Sequence, residues 1–199
     1  MIGFVRGLLT SKQPPLLVVD VNGIGYEIEA PMSTFYVLPA VGAEITLVTH
    51  LLVREDAQIL FGFSTESERR LFRDLIRISG VGAKMALAIL SGISVEGFVQ
   101  CVQNEDTASL VKVPGVGKKT AERLIVEMRD RIEKGAVAVP AGMPAGPETG
   151  STPATEAQNA LVALGYRPAE ALRLLASIDT RQLETEEIIR RALQNIAPR

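Results

Sequence analysis

In the first third of the chain the apolar positions come in short runs, not at helical spacing. Ile2–Leu9, Leu16–Val21 and Ile24–Ala30 are rich in Val, Ile, Leu and Tyr, which predicts strands. Asn22-Gly23 separates two of them. That pair is a strong hairpin signal, because both turn positions want a positive φ. Pro31 and Pro39 bracket a stretch that does not read as strand. Glu44–Val53 and Gln58–Phe63 predict two more strands, joined by a loop around Arg54-Glu55-Asp56. Five strands within residues 1–63 predict a small closed or nearly closed barrel of the OB-fold kind.

From residue 64 the period changes to that of a helix. Thr65-x-x-Glu68 has the form of a capping box, and Leu71, Phe72, Leu75 and Ile76 then share one helical face. Ser94 is placed to cap a helix carrying Val95, Phe98, Val99 and Val102. Leu110, Val111, Leu124, Ile125 and Met128 continue the spacing, so 64–135 is expected to be a helical domain. Residues 136–155 hold four prolines and three glycines with no periodicity, which predicts a flexible linker. Residues 156–199 predict a three-helix bundle. Its apolar positions are Ala157, Leu161, Ala163 and Leu164, then Ala171 to Ile178 after a Gly165-Tyr166-Arg167-Pro168 turn, then Ile188 to Ile196 on a helix starting near Thr185. The Leu-Gly-Tyr turn is similar to that of ubiquitin-associated bundles, which implies a tethered docking module. The expected fold class is multidomain, β then α.

The helical domain contains a repeat at an offset of 35 residues. Leu75-Ile76-Arg77-Ile78-Ser79-Gly80-Val81-Gly82-Ala83-Lys84 matches Leu110-Val111-Lys112-Val113-Pro114-Gly115-Val116-Gly117-Lys118-Lys119. Each copy reads as a helix, a Gly-Val-Gly turn and a second helix beginning at Lys84 or Lys119. The glycines permit a tight connection at positive φ. A buried Val81 or Val116 would anchor the turn, leaving backbone N–H groups facing outward at the next helix start. That is an anion site suited to phosphate. Lys84, Lys118, Lys119 and Arg123 add full charges beside it. Nothing in this set reads base edges, so the expected binding is to nucleic-acid backbone and independent of sequence. The pattern resembles the helix-hairpin-helix motif. A P-loop reading of Gly117-Lys118-Lys119-Thr120 fails on spacing, since a Walker motif needs Gly at 112 and Ser or Thr at 119, and both are Lys. No ATPase activity is expected.

Charge changes the picture once it is divided. The 199 residues carry 21 Lys plus Arg against 23 Asp plus Glu, a net −2, and the acidic pI of about 5.6 argues mildly against a nucleic-acid partner. Residues 1–63 have a net −3, 64–135 a net +2 and 136–199 a net −1. The positive third is the one that carries the repeat. A single Cys, Cys101, precludes an internal disulfide, and with a single His, His50, no zinc site is expected. No run of apolar residues is long enough for a membrane span, and the N-terminus does not read as a signal peptide. The expectation is a cytoplasmic protein with no cofactor.

Glu55-Asp56 at a hairpin tip admits three readings. It is a solvated turn, a Mg²⁺-binding nuclease pair, or a repulsive element. The nuclease reading suffers because adjacent strand residues face opposite ways and no third ligand is near in sequence. Carboxylates facing phosphates would penalise continuous duplex and tolerate DNA that opens at that point. The function classes left open are a DNA-binding platform, a helix-hairpin-helix glycosylase or metal-dependent nuclease, and a protein-only adaptor. No catalytic Lys or Asp in a base pocket, and no carboxylate cluster, can be assembled for the second.

The whole chain resembles the RuvA family of bacterial Holliday-junction-binding subunits. The resemblance rests on Met1–Gly7 (MIG-x-x-RG), Gln13–Pro15, Val53–Gln58 (VREDAQ), Gly80–Gly92 (GVGAK-x-ALAILSG), Pro114–Met128 (PGVGKKTAERLIVEM) and Ala160–Tyr166 (ALVALGY). It implies a homotetramer, with a second tetramer able to close over it. The barrels would lie at the centre of a four-way junction held open and planar, in homologous recombination and DNA repair. It makes Glu55 and Asp56 an acidic pin at the crossover. The two turns, Gly80-Val81-Gly82 and Gly115-Val116-Gly117, would grip the arms through phosphates together with Lys84, Lys118, Lys119 and Arg123. Residues 156–199 would dock the hexameric ATPase RuvB, with exposed apolar positions between Leu172 and Ile189 as contact candidates. The resolvase RuvC can join. The chain itself would perform no covalent chemistry.

Overall fold

The structure, a computed structural model, describes residues 1–133, 152–178, 180 and 183–194. Between residues 133 and 152 the chain divides into two compact units.

The first unit opens with five strands: β1 (Phe4–Gln13), β2 (Leu16–Val21), β3 (Ile24–Glu29), β4 (Glu44–Val53) and β5 (Gln58–Phe63). They close into a barrel in the order β1-β2-β3-β5-β4, with β4 returning to pair with β1. The single parallel contact, Glu29 with Phe61, joins β3 to β5. Asn22 and Gly23 stand at φ 52° and 88°, and the Gly23 N–H donates to Asp20 Oδ1 at 2.7 Å. The two-residue hairpin therefore forms as the sequence requires. A short helix, α1 (Met32–Val37), fills the stretch between Pro31 and Pro39. The alternation of strand faces fixes what each side packs against. Val5, Leu9, Leu17, Val19, Ile28, Ile45, Leu47 and Leu60 fill the barrel.

β5 is buried on both faces. Leu60 points into the barrel, while Ile59, Phe61 and Phe63 point out toward the helices. Gly62 shares the inner face, and a Cβ there would stand 2.5 Å from Ile28 Cγ2. Only hydrogen fits. The outward face of β4 behaves likewise, with Val48 and Leu52 packed on the helical core.

That core is built by α2 (Glu66–Leu75), α3 (Ala83–Gly92), α4 (Val95–Gln103), α5 (Thr107–Val111) and α6 (Lys118–Glu133). Phe72 of α2 is the joint. Its ring lies 4.9 Å from Phe61, 5.0 Å from Phe63 and 5.6 Å, edge-on, from His50. The capping box at the start of α2 is half formed. Thr65 Oγ1 accepts from the Glu68 N–H at 3.2 Å, as expected. The Glu68 carboxylate, however, does not return to Thr65. It accepts from the Ser64 N–H at 3.1 Å and from the hydroxyls of Ser64 and Ser33. A buried carboxylate needs several donors, and Ser33 of α1 supplies one from the barrel side. Arg69 donates to the carbonyls of Gly3 (2.7 Å) and Thr49 (3.1 Å), which also ties α2 to the barrel. Ser94 caps α4 by accepting from the Gly97 N–H at 3.1 Å.

The second unit holds α7 (Pro153–Ala163), α8 (Pro168–Ala176) and α9 (Thr185–Gln194) around Ala157, Leu161, Ala171, Leu175, Ile188 and Ala192. The expected linker over 136–155 lies outside the described residues up to 151. Its last three residues are helical instead. Pro153 is the first residue of α7 and Thr152 accepts from the Thr155 N–H. Proline breaks a helix interior but suits its first position, where no N–H bond is lost. The end of α7 explains the Leu-Gly-Tyr turn. Gly165 sits at φ 102°, its N–H donates to Val162 O at 3.0 Å, and the Tyr166 N–H donates to Leu161 O at 3.1 Å. This is a Schellman stop, with Tyr166 packed back on the bundle core.

Among the described residues no single helix is long and apolar enough to cross a membrane. α3 and α4 together have the composition, but they meet at 96° and bury Ile89, Leu90, Phe98 and Val102 in the helical core.

Replacing the fully buried Phe72 removes the side chain through which α2 packs on the outward face of β5. Phe72→Ala is expected to cost about 3–5 kcal/mol in urea unfolding of the whole chain. A loss below about 1 kcal/mol would mean that the joint is not tightly packed.

Candidate nucleic-acid interface

The two repeat copies fold alike, down to single hydrogen bonds. In the first, the Val81 N–H donates to Ile78 O at 3.0 Å, closing a four-residue turn with Gly80 at φ 86°. In the second, the Val116 N–H donates to Val113 O at 3.0 Å, with Gly115 at φ 88°. A positive φ at the third residue makes each a type II turn. Pro114 occupies the second position of its turn, where a fixed φ near −65° is already correct. A side chain at Gly80 or Gly115 would strain the left-handed backbone, although nothing crowds a Cβ at Gly115.

Each turn runs straight into a helix. The first helical bonds are from the Ala86 N–H to Gly82 O at 3.0 Å and from the Ala121 N–H to Gly117 O at 2.9 Å. The amides just before them are those a helix start leaves open. No side chain caps α3 at Gly82. Val81 and Val116 are both buried, so the turn is pinned from below. Gly80, Gly82, Gly115 and Gly117 are exposed. An anion placed here would meet N–H donors, the positive end of a helix and no competing carboxylate cap.

The second helices begin at Ala83 and Lys118, each one residue earlier than the expected Lys84 and Lys119. The reason is the glycine. Gly82 is itself the extended cap residue (φ −85°, ψ 168°), so the next residue is already helical. Lys84, Lys118 and Lys119 are exposed, and none enters an ion pair among the described residues. Arg123 differs. Its Nη1 donates to Ser79 O at 2.8 Å, reaching from α6 of the second copy to the turn of the first. Ser79 O belongs to the second residue of the first turn, a carbonyl the turn leaves unpaired. The residue matching Arg123 in the first copy is Ala88, so the link runs one way only. The pattern of repeats did not single out Ser79, because a backbone carbonyl has no sequence signature.

Glu55 and Asp56 form the tip of the β4–β5 hairpin. The ladder ends at Val53 with Gln58, and the Arg54 N–H donates to Ala57 O at 2.8 Å. Two residues are left to turn the chain, and both are exposed. Neither enters an ion pair among the described residues. No group of three or more His, Cys, Asp or Glu side chains among the described residues could hold a metal ion. In the second unit, Ile188 is core, whereas Leu172 and Leu164 are exposed at 53% and 62%. The apolar contact candidates between Leu172 and Ile189 therefore lose Leu175 and Ile188, whose helices turn them inward.

The burial of other ionisable groups is local. Burial lowers the pKa of His50 from its usual value, helped by Arg73, Arg69 and Arg77. Burial raises that of Asp74, against the pull of Arg131 and Arg77. The Arg131–Asp74 pair, at 3.3 Å, ties α6 to α2 behind the hairpins.

Comparison with known proteins gives the same division of the chain. Residues 1–62 match the RuvA N terminal domain, 72–130 the SAM-like helix-hairpin-helix tandem, and 152–197 the RuvA C-terminal domain. A protein of Nitrosococcus oceani named Holliday junction branch migration complex subunit RuvA is 60% identical over 198 residues, which is 98% of this chain and 100% of that one. The protein of the same name from Methylococcus capsulatus is 57% identical over 198 residues, 98% of each chain. That from Pseudomonas aeruginosa is 53% identical over 200 residues, 98% of this chain and all of the other. With a closed barrel, a tandem helix-hairpin-helix domain and a small helical unit in that order, and relatives matched along their whole length, the chain belongs to the RuvA family.

Proposed function

We propose that the chain is a non-catalytic DNA-binding subunit that recognises four-way junctions by shape and loads a RuvB motor for branch migration in recombination and repair. The observation that carries this reading is the pair of identical type II turns, each feeding open helix amides beside unpaired lysines. Two such sites on one rigid unit would hold two points of a phosphate backbone without reading bases. The N–H groups of Gly82 and Gly117 and the charges of Lys84, Lys118 and Lys119 would make the contacts. Arg123 would add charge while bracing the first turn.

The exposed Glu55-Asp56 tip supports the pin reading. Two unpaired carboxylates on a narrow hairpin would repel a continuous duplex but fit the opening at a crossover, where paired strands separate. Homotetramer assembly, alone or as two tetramers, would bring four tips together. Phe4 (65%) and Ile24 (61%) of the barrel and Tyr36 (75%) of α1 are exposed, large apolar surfaces that suit such packing. The second unit would meet the ATPase, with exposed Leu164 and Leu172 as contact residues. RuvC would join the same complex, and the setting would be the cytoplasm.

Lys84→Ala and Lys119→Ala are each expected to weaken binding to junction and duplex alike. Each should lower the slope of log affinity against log salt by about one. Gel shifts at several salt concentrations measure this, and unchanged affinity in both variants would sink the phosphate role. Glu55→Gln combined with Asp56→Asn should tighten plain duplex binding, so that the junction-to-duplex ratio falls. A ratio that stays constant would remove repulsion as the source of preference. Deleting residues 152–199 should leave junction binding intact and abolish motor-driven migration. Loss of junction binding instead would place the second unit in the DNA-binding surface.

A further inference from the structure

Arg69 and Arg73 stand one turn apart on α2, and Arg77 follows two residues past its end, in the turn closed by the Arg77 N–H to Asp74 O. They are unequally neutralised. Arg69 pairs with Glu66 at 2.5 Å and with two barrel carbonyls. Arg77 reaches Asp74 only at 3.7 Å, and Asp74 also serves Arg131. Arg73 has no carboxylate partner among the described residues. Its Nε donates instead to His50 Nδ1 at 3.3 Å.

That bond fixes the imidazole. A ring that accepts through Nδ1 is neutral and carries its proton on Nε2. His50 stands half-buried on the outer face of β4, edge-on to Phe72. The cluster is therefore a half-buried guanidinium, an exposed guanidinium and an imidazole N–H donor, short of negative charge. Burial and the neighbouring Arg69 pull the pKa of Arg73 down, Glu66 opposes them, and Arg77 adds to the pull. Packing alone would be served by a neutral donor to His50. A solvated helix end would be served by an arginine turned to the last carbonyls of α2, but the Arg73 Nε is turned sideways to the barrel.

The location points to a ligand. His50 precedes the end of β4 by three residues and Glu55 of the acidic tip by five. Arg77 precedes Gly80 of the first turn by three residues. Along the chain, the cluster thus lies a few residues from each feature, on the strand that leads to the tip and on the segment that leads to the turn. We propose that Arg73, Arg77 and the His50 Nε2–H form a further phosphate-binding site, which takes a backbone phosphate of the DNA strand running from the acidic tip to the first Gly-Val-Gly turn. This rests on the proposed placement of DNA across both features. It adds a fixed point that holds a strand once it has diverged at the tip.

Arg73→Gln keeps a donor for His50 and removes the charge, while Arg77→Gln alters an exposed side chain that cannot unfold the protein. Binding of a fluorescent four-way junction to the full chain is measured across a salt series, with Lys119→Gln in parallel. Each arginine variant is expected to bind about threefold to tenfold more weakly at low salt, with a slope reduced by about one. Wild-type affinity and slope in both arginine variants would overturn the site, whatever Lys119→Gln does. Weakened arginine variants beside an unaffected Lys119→Gln would uphold this site and fail the reading of the second turn.

Discussion

Everything in the first unit depends on one packing constraint, the joint at Phe72. The barrel leaves apolar side chains on the outer faces of β4 and β5, and the helices leave an apolar face toward them. β5 joins the two by being apolar on each face. Leu60 serves the barrel, while Phe61 and Phe63 serve the helices and receive Phe72 between them. The barrel core and the helical core therefore lie back to back on the two faces of β5. Hydrogen bonds from Arg69 to Gly3 and Thr49, and from Ser33 to Glu68, hold the same seam at its polar edges.

Rigidity at that joint matters for the surface. The features available to a nucleic acid lie on different elements: a hairpin tip on the barrel and two turns on the helical domain. Each is simple in itself. A type II turn with an open helix start binds any phosphate, and two carboxylates repel any phosphate. Discrimination of DNA shape, as proposed, would arise from the fixed spacing between attraction and repulsion. The Arg123 link from α6 to Ser79 and the Arg131 link to Asp74 hold the two hairpins in one relation to each other. Mean charge says little about such a surface, because net −2 averages a negative barrel, a positive repeat and a slightly negative C-terminal part.

The second unit is organised by different means. It has a separate core of small and branched side chains, with Ala157, Ala171 and Ala192 letting the helices approach closely. Its helix boundaries are set by local devices: Thr152 with Pro153 at one start, Pro168 at another, and Gly165 at the stop between them. Such a bundle needs no contact with the first unit to define its fold.

Local chemistry settled much of this protein from its sequence. Asn22-Gly23, Ser94, Thr65 and the doubled Gly-Val-Gly act through the backbone of their own neighbours, so the strands, the caps and both phosphate-suited turns were legible without any tertiary knowledge. The charge asymmetry and the exposed Glu55-Asp56 tip were legible for the same reason. Helix starts were misplaced by a residue or a few, because Gly82 serves as a cap and Pro153 as a first helical residue, roles that depend on which neighbour is already helical. What only the tertiary structure decided are the long-range pairings: Phe72 between Phe61 and Phe63, Glu68 reaching Ser33, Arg123 holding Ser79, and Arg73 turned onto His50. Each joins residues on different elements, and in the last two the acceptor is a backbone carbonyl or a ring nitrogen. No periodicity or spacing marks such partners, since they are selected by how the barrel and the helices close on each other.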